Sequence, residues 1–174
     1  QSNGVVERGI QTVEGMIRTM RSALEERIAS KLEIDDSVWP WIVEYSSYLL
    51  NRLEVGKDGK TAYERSKGKR ARVSGVEFGE AVLWKRRPVG GALGKLAILW
   101  EDGVFLGAKG GAKGTTGEII IGAGEGVYRT RTIQRKPIED RWREELIKKI
   151  KGVPWRKSDV DPEVDGAAMR SRPL

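Results

Sequence analysis

The side chains able to do chemistry in this 174-residue chain are carboxylates, hydroxyls, lysines and arginines, because it has neither histidine nor cysteine. That removes disulfide frameworks, Cys/His zinc sites, Cys-His nucleophiles and Ser-His-Asp triads. Two sets of residues stand out among those that remain. The first is a single acid, Glu7, at the head of a helical pattern. Its simplest role is that of a favourable charge near a helix N-terminus, worth a few tenths of a kcal/mol. The second is a series of cations: Lys67, Lys69, Arg70 and Arg72, then Lys85, Arg86 and Arg87, then Arg129, Arg131, Arg135 and Lys136. Gathered on one surface, such groups hold phosphates with little sequence readout and strong salt dependence. Scattered, they only keep a protein soluble. A third motif fails on spacing: Gly110 to Thr116 is rich in Gly, Lys and Thr, but Ala112 stands where a phosphate loop needs its second glycine.

The charge is distributed unevenly. Up to Leu53 there are six basic and eight acidic residues, and beyond it 26 basic against 17 acidic, so the net +7 of the chain belongs to its second part. That asymmetry favours nucleic-acid contact over mere solubility. No window approaches the roughly 18 to 20 apolar residues of a membrane helix.

The elements that would position these groups change character near the same point. Val6, Ile10, Val13, Ile17, Met20, Leu24 and Ile28 recur at steps of four and three. This spacing predicts an amphipathic helix from about Val5 to Ser30, roughly 39 Å long, with Asn3 as its N-cap. A second helix is expected after Asp35, Asp36 and Ser37, with Pro40 in its first turn and Trp39, Trp41, Tyr45 and Tyr48 packing it. Thr61 and Glu64 fit a capping box over a short helix at Ala62 to Lys67. From there the period becomes that of strands: Ala81 to Lys85, Ala97 to Trp100, Gly103 to Ala108, Glu118 to Ile121 and Val127 to Ile133, with a tight connection at Gly122 to Gly126. Alternation would put Arg129 and Arg131 on one side of the last strand. Trp84, Trp100, Phe105 and Tyr128 are expected mainly in a small core rather than stacked on bases or caging a methylated lysine. The stretch Lys109 to Gly117 reads as a mobile loop, Trp142, Leu146, Ile147 and Ile150 as one face of a closing helix, and residues 156–174 as a disordered tail.

Several strings in this order resemble one family. Gln1, Ser2, Asn3, Gly4, Val5, Val6, Glu7 and Arg8 resemble the segment that brings the last acidic residue into the catalytic core of retroviral and retrotransposon integrases. Thr61, Ala62, Tyr63, Glu64, Arg65, Lys69 and Arg70 look like the segment following that core in copia-like elements, with Ala62 where proline is usual. Trp100, Gly103, Phe105, Leu106 and Gly107, then Ile121, Gly122, Gly126, Val127, Arg129, Arg131, Thr132, Arg135 and Pro137, with Arg141 and Trp142, resemble the C-terminal region of retrotransposon polyproteins.

The resemblance implies an α+β chain. Residues 1–56 would be the C-terminal helices of an RNase H-like core and 57–76 a basic linker with a short helix. Residues 77–137 would form a small Src-homology-3-like barrel that binds DNA, 138–155 a C-terminal helix and 156–174 the tail. It implies DNA integration in the intact parent by Mg2+-dependent phosphoryl transfer, in which three carboxylates hold the ions. Glu7 would be one metal ligand, and the other two would lie upstream, so this chain alone is expected to be inactive. DNA would be held by Lys69, Arg70, Arg72, Lys85, Arg86, Arg87, Arg129, Arg131, Arg135 and Lys136. The implied partners are element ends and target DNA, with a homo-oligomeric parent, no membrane and no small-molecule substrate. The implied location is intracellular, and nuclear when acting on DNA. The alternative is a non-enzymatic module whose small basic barrel binds nucleic acid or a protein tail.

Overall fold

The computed structural model describes residues 3–85, 99–110, 117–124 and 126–155. The architecture is α+β. Helices α1 (Asn3–Ile28), α2 (Trp39–Leu53) and α3 (Ala62–Lys67) precede strands β1 (Ala81–Lys85), β2 (Trp100–Lys109), β3 (Glu118–Ala123), β4 (Gly126–Thr130) and β5 (Ile133–Arg135). A 3-10 turn (Ile138–Asp140) and helix α4 (Glu144–Lys148) follow. Among the described residues no helix is long and apolar enough to cross a membrane.

The end of α1 is shaped by one acid. Glu25, 7% exposed, takes hydrogen bonds from Arg21 Nε at 2.8 Å, Lys31 Nζ at 2.8 Å and the backbone N–H of Leu32 at 3.2 Å. It thereby folds the chain back beyond Ala29, which takes φ 53°. The Lys31 ammonium, then the Arg21 guanidinium, hold this carboxyl down at about 2. Neither helix start follows the expected capping. Asn3 already lies within α1 and does not cap it. At α2 the N-cap is the buried Val38, with no side-chain cap bond and Pro40 in the first turn. Asp36 is engaged one turn earlier, its carboxylate accepting from Glu33 N at 2.7 Å and its carbonyl from Trp39 N at 3.2 Å. The Thr61–Glu64 box does form, with both reciprocal bonds and a left-handed Gly68 ending the helix.

Strand β2 is shared by two halves of the sheet. Its first residues pair with β1, from Lys85↔Trp100 to Ala81↔Val104, and its later ones with β3, from Val104↔Gly122 to Lys109↔Glu118. A register shift between Phe105 and Gly107 marks the change. Gly107 sits at φ 147°, where a side chain would be strained and would meet the Tyr45 ring. The strand order is β4-β3-β2-β1-β5, yet β4 and β5 are consecutive in the chain and separated only by Arg131 and Thr132. So short a link between opposite edges requires the sheet to curl on itself. The curl is visible across the gap: Thr130 Oγ1 donates to Lys85 O at 3.4 Å, and Trp84 stacks on Tyr128 with centroids 4.8 Å apart. Inside the curl Gly103 admits both walls, since a Cβ there would overlap Ile121 and lie 2.8 Å from Trp84 Cδ1.

Leu24, Trp41, Ile42 and Tyr45 from the helices join Phe78, Val82, Trp84, Phe105 and Ile121 in one apolar cluster. Tyr45 meets Phe105 edge-on at 5.5 Å and stacks near Phe78 at 5.9 Å. Burial of these rings accords with the core role expected of Trp84, Phe105, Trp41 and Tyr45.

Two expected elements differ. The run Val127 to Ile133 is broken at Arg131, because the Thr130 hydroxyl bonds locally to Thr132 O at 3.2 Å and takes its N–H at 3.3 Å, turning the chain out of the strand. The expected helix over 138–155 is only a 3-10 turn and the five residues of α4. Its backbone is bonded elsewhere: Arg141 O accepts from Ala81 N at 2.7 Å, and Gly152 O accepts from Trp41 Nε1 at 3.0 Å. Ile147 and Ile150, both 3% exposed, close the core from this side. The first residues of the Ala97 to Trp100 run, most of the Lys109 to Gly117 stretch and the tail 156–174 lie outside the described residues, while Trp100 opens β2 and Lys109 ends it.

Candidate nucleic-acid interface

Strand β5 and the residue after it show why a basic sequence does not translate directly into a basic surface. Glu80, just before β1, is fully buried. Arg135 meets it with both arms, Nε to Oε1 at 2.7 Å and Nη2 to Oε2 at 2.8 Å. Arg141 Nε lies 3.4 Å from Oε1, and the N–H of Glu77 donates to Oε2 at 3.2 Å. The bond to Glu80 raises the Arg135 pKa further and commits its charge to the fold. Lys136, 11% exposed along its side chain, is 2.5 Å from Asp102 Oδ1. Of these two residues expected to hold DNA, Arg135 is turned towards the buried Glu80 and Lys136 towards the exposed Asp102 of β2.

The remaining candidates divide further. Arg129 points across the β3–β4 ladder with Nη1 3.6 Å from Glu118 Oε2. Its expected neighbour Arg131 does not share its strand, since β4 ends at Thr130. Arg70 is almost fully exposed, with Nε 3.3 Å from Glu64, the same carboxylate that closes the capping box. That carboxyl is held below its ordinary range, first by the Thr61 N–H. Lys69 and Arg72 are exposed in the irregular segment between α3 and β1. Lys85 ends β1 and is exposed, as is Arg131. Because Thr130 bonds to the carbonyl of Lys85, the fold brings Lys85 and Arg131 to the same end of the curled sheet. Arg86 and Arg87 lie outside the described residues.

Sequence reasoning missed the acids that decide which cations are available: Glu80, Asp102 and Glu118. Strand pairing could have suggested Glu118, but Glu80 lies 55 positions from Arg135 and carries no local signal.

Glu7 occupies the second turn of α1 and is exposed. Around it the apolar stripe of the helix is uncovered, with Val5 76%, Val6 59% and Ile10 53% exposed, whereas Leu24 near the other end is 2% exposed. A groove of about 540 Å³ runs beside this half of the helix, lined by Val5, Arg8 and Val13 on one wall and by Leu50, Glu54 and Val55 on the other. Among the described residues no group of three or more acidic side chains lies close enough to hold a metal ion. Glu7 by itself does not fit a Mg2+ site, which needs more oxygen ligands than one side chain supplies.

The chain matches no protein-family model, no curated protein and no solved structure.

Proposed function

We propose that this chain is the C-terminal portion of a retroelement integrase, whose curled sheet is a small Src-homology-3-like barrel that holds DNA. The observation that carries the reading is the contrast within α1. Towards its C-terminal end Leu24 is buried and Ile17, Met20 and Ile28 pack against the core, while at its N-terminal end Val5, Val6 and Ile10 stand exposed around Glu7. An amphipathic helix keeps such a stripe where a further apolar surface packs against it. In this reading that surface is the catalytic core of the parent, Glu7 is one of its carboxylates, and the remaining ligands come from the same core. No catalytic step is derived for the chain itself, because its described residues do not make up a metal site.

The DNA-holding part rests on Lys85 and Arg131 at one end of the sheet, with Lys69 and Arg72 as further phosphate contacts. Duplex affinity across a salt series tests it. Each phosphate contact contributes about −0.9 to the slope of log K against log salt. Replacing both Lys85 and Arg131 by alanine should weaken binding and flatten that slope by up to about 1.8. A salt-independent affinity, or a double variant indistinguishable from the native chain, would sink the proposal.

A further inference from the structure

Between α3 and β1 the chain runs without secondary structure. Among the described residues, no main-chain group of residues 69–76 bonds to another main-chain group, and Lys69, Arg70, Arg72, Ser74 and Gly75 are all exposed. The segment carries one hydroxyl. Ser74 Oγ accepts from Val76 N at 3.4 Å, and its own proton goes to no acceptor among the described residues. The chain is anchored only beyond it, where Val76 and Phe78 are each 8% exposed. Lys67, Lys69, Arg70 and Arg72 stand upstream of the hydroxyl, and no acid lies between Glu64 and Glu77. The other exposed hydroxyls among the described residues are held in regular structure or beside it. Thr19 and Ser22 are inside α1 and Ser66 is inside α3. Thr132 has its N–H and carbonyl taken by the Thr130 hydroxyl, between two paired strands. An enzyme groove that takes its substrate extended would have to undo each of these, but not the segment around Ser74.

We propose that Ser74 is a phosphorylation site for a serine kinase that reads upstream arginines, and that its phosphate switches off the DNA contacts of Lys69 and Arg72. In the transfer, the bond between the γ-phosphorus of a nucleoside triphosphate and its bridging oxygen breaks and a bond to Ser74 Oγ forms. The hydroxyl proton passes to the kinase's catalytic carboxylate, and nucleoside diphosphate leaves. The product adds about −1.5 to −2 charge and three acceptor oxygens, two positions from Arg72. Cations that would hold DNA phosphates then have a phosphate of their own chain to pair with. The switch rests on the DNA-holding reading; the modification does not.

The test incubates the native chain with Mg2+, ATP and the catalytic domain of an arginine-directed serine kinase, and maps the phosphate by mass spectrometry. One phosphate at Ser74 is expected, and Ser74→Ala should remove it with Tm unchanged. Arg70→Gln with Arg72→Gln should slow incorporation about tenfold, through the loss of two charge-assisted contacts to the kinase. The phosphorylated chain should bind duplex about fivefold more weakly than the native chain at low salt, the worth of two exposed ion pairs, and converge on it at high salt. No phosphate at Ser74 of the folded chain, or incorporation indifferent to Arg70 and Arg72, overturns the site. Phosphorylation that leaves duplex affinity unchanged overturns the switch. A chain phosphorylated at Ser74 that binds no duplex in either form keeps the site and refutes the DNA-holding reading instead.

Discussion

Arg135→Ala separates a structural arginine from a DNA-holding one. The side chain is 40% exposed, so it resembles a surface cation, but it places two charge-assisted bonds of 2.7 and 2.8 Å on a carboxylate that has no exposure at all. Breaking a buried pair from one side costs about 3–5 kcal/mol, because the other charge stays in low dielectric. Two features lower that figure here. Arg141 stays 3.4 Å from Glu80, and the Glu77 N–H still donates to it. The solvent-facing side of Arg135 also screens part of the interaction. A loss of about 2–3 kcal/mol is expected, which for a chain of this size lowers Tm by about 5–10 °C. Urea unfolding followed through tryptophan fluorescence reads it as a lower midpoint at unchanged m. Arg131→Ala, by contrast, should leave stability within about 0.5 kcal/mol. A cycle with Glu80→Gln should show a coupling of about 2 kcal/mol between the pair. The reasoning fails if Arg135→Ala costs under about 0.5 kcal/mol, if the cycle is additive, or if the folded variant loses DNA affinity as Arg131→Ala does.

Gly103→Ala should destabilise by about 1–3 kcal/mol through overpacking, since its methyl meets Trp84 and Ile121 together, and chemical denaturation would detect it. Thr61→Ala should cost about 1 kcal/mol by opening the capping box, with hydrogen exchange rising in α3 before elsewhere. Glu25 sets an acid limit. Its folded pKa of about 2 lies below the ordinary 4.5, so its contribution is complete above about pH 4.5 and declines as pH falls towards 2. A Glu25→Gln variant should therefore lose stability at neutral pH and show a shallower decline over that window. Burial raises Tyr45 to about 12 from 10, so its contribution is complete below pH 10 and declines as pH rises towards 12. Tyrosinate absorbance should show one ring titrating late, and Tyr45→Phe should remove that late phase.

Much of the local structure was legible because it depends on neighbours in sequence. The capping box and α3 follow from Thr61 and Glu64, and β1 from the β-branched and aromatic run at Ala81 to Lys85. Illegible features were those in which a distant group takes over a local preference. Asp36 is a good capping residue, yet a turn with Glu33 uses its carboxylate first. The Trp142 to Ile150 run has helical spacing, but the carbonyls flanking it, Arg141 O and Gly152 O, serve Ala81 and Trp41 across the molecule. The candidate site suffered the same loss. Arg135 and Lys136 were selected for charge, and the acids that claim them come from β1's approach and from β2. Arg131 and Lys85 survive as exposed cations because the curl of the sheet, which no short window encodes, leaves both at its end.

The bond from Trp41 to Gly152 and the one from Ser30 to Glu144 join residues 111 and 114 positions apart. During synthesis, neither can form until nearly the whole chain to Gly152 has left the ribosome. The helices emerge first with the apolar faces of Trp41, Ile42 and Tyr45 uncovered, and β2, which covers Tyr45, comes some sixty residues later. At about 5–20 residues per second that interval is on the order of three to twelve seconds. The nascent chain therefore passes through a stage in which the helical pair must be held soluble by its charges or by a chaperone, and premature termination before β2 would release it in that state.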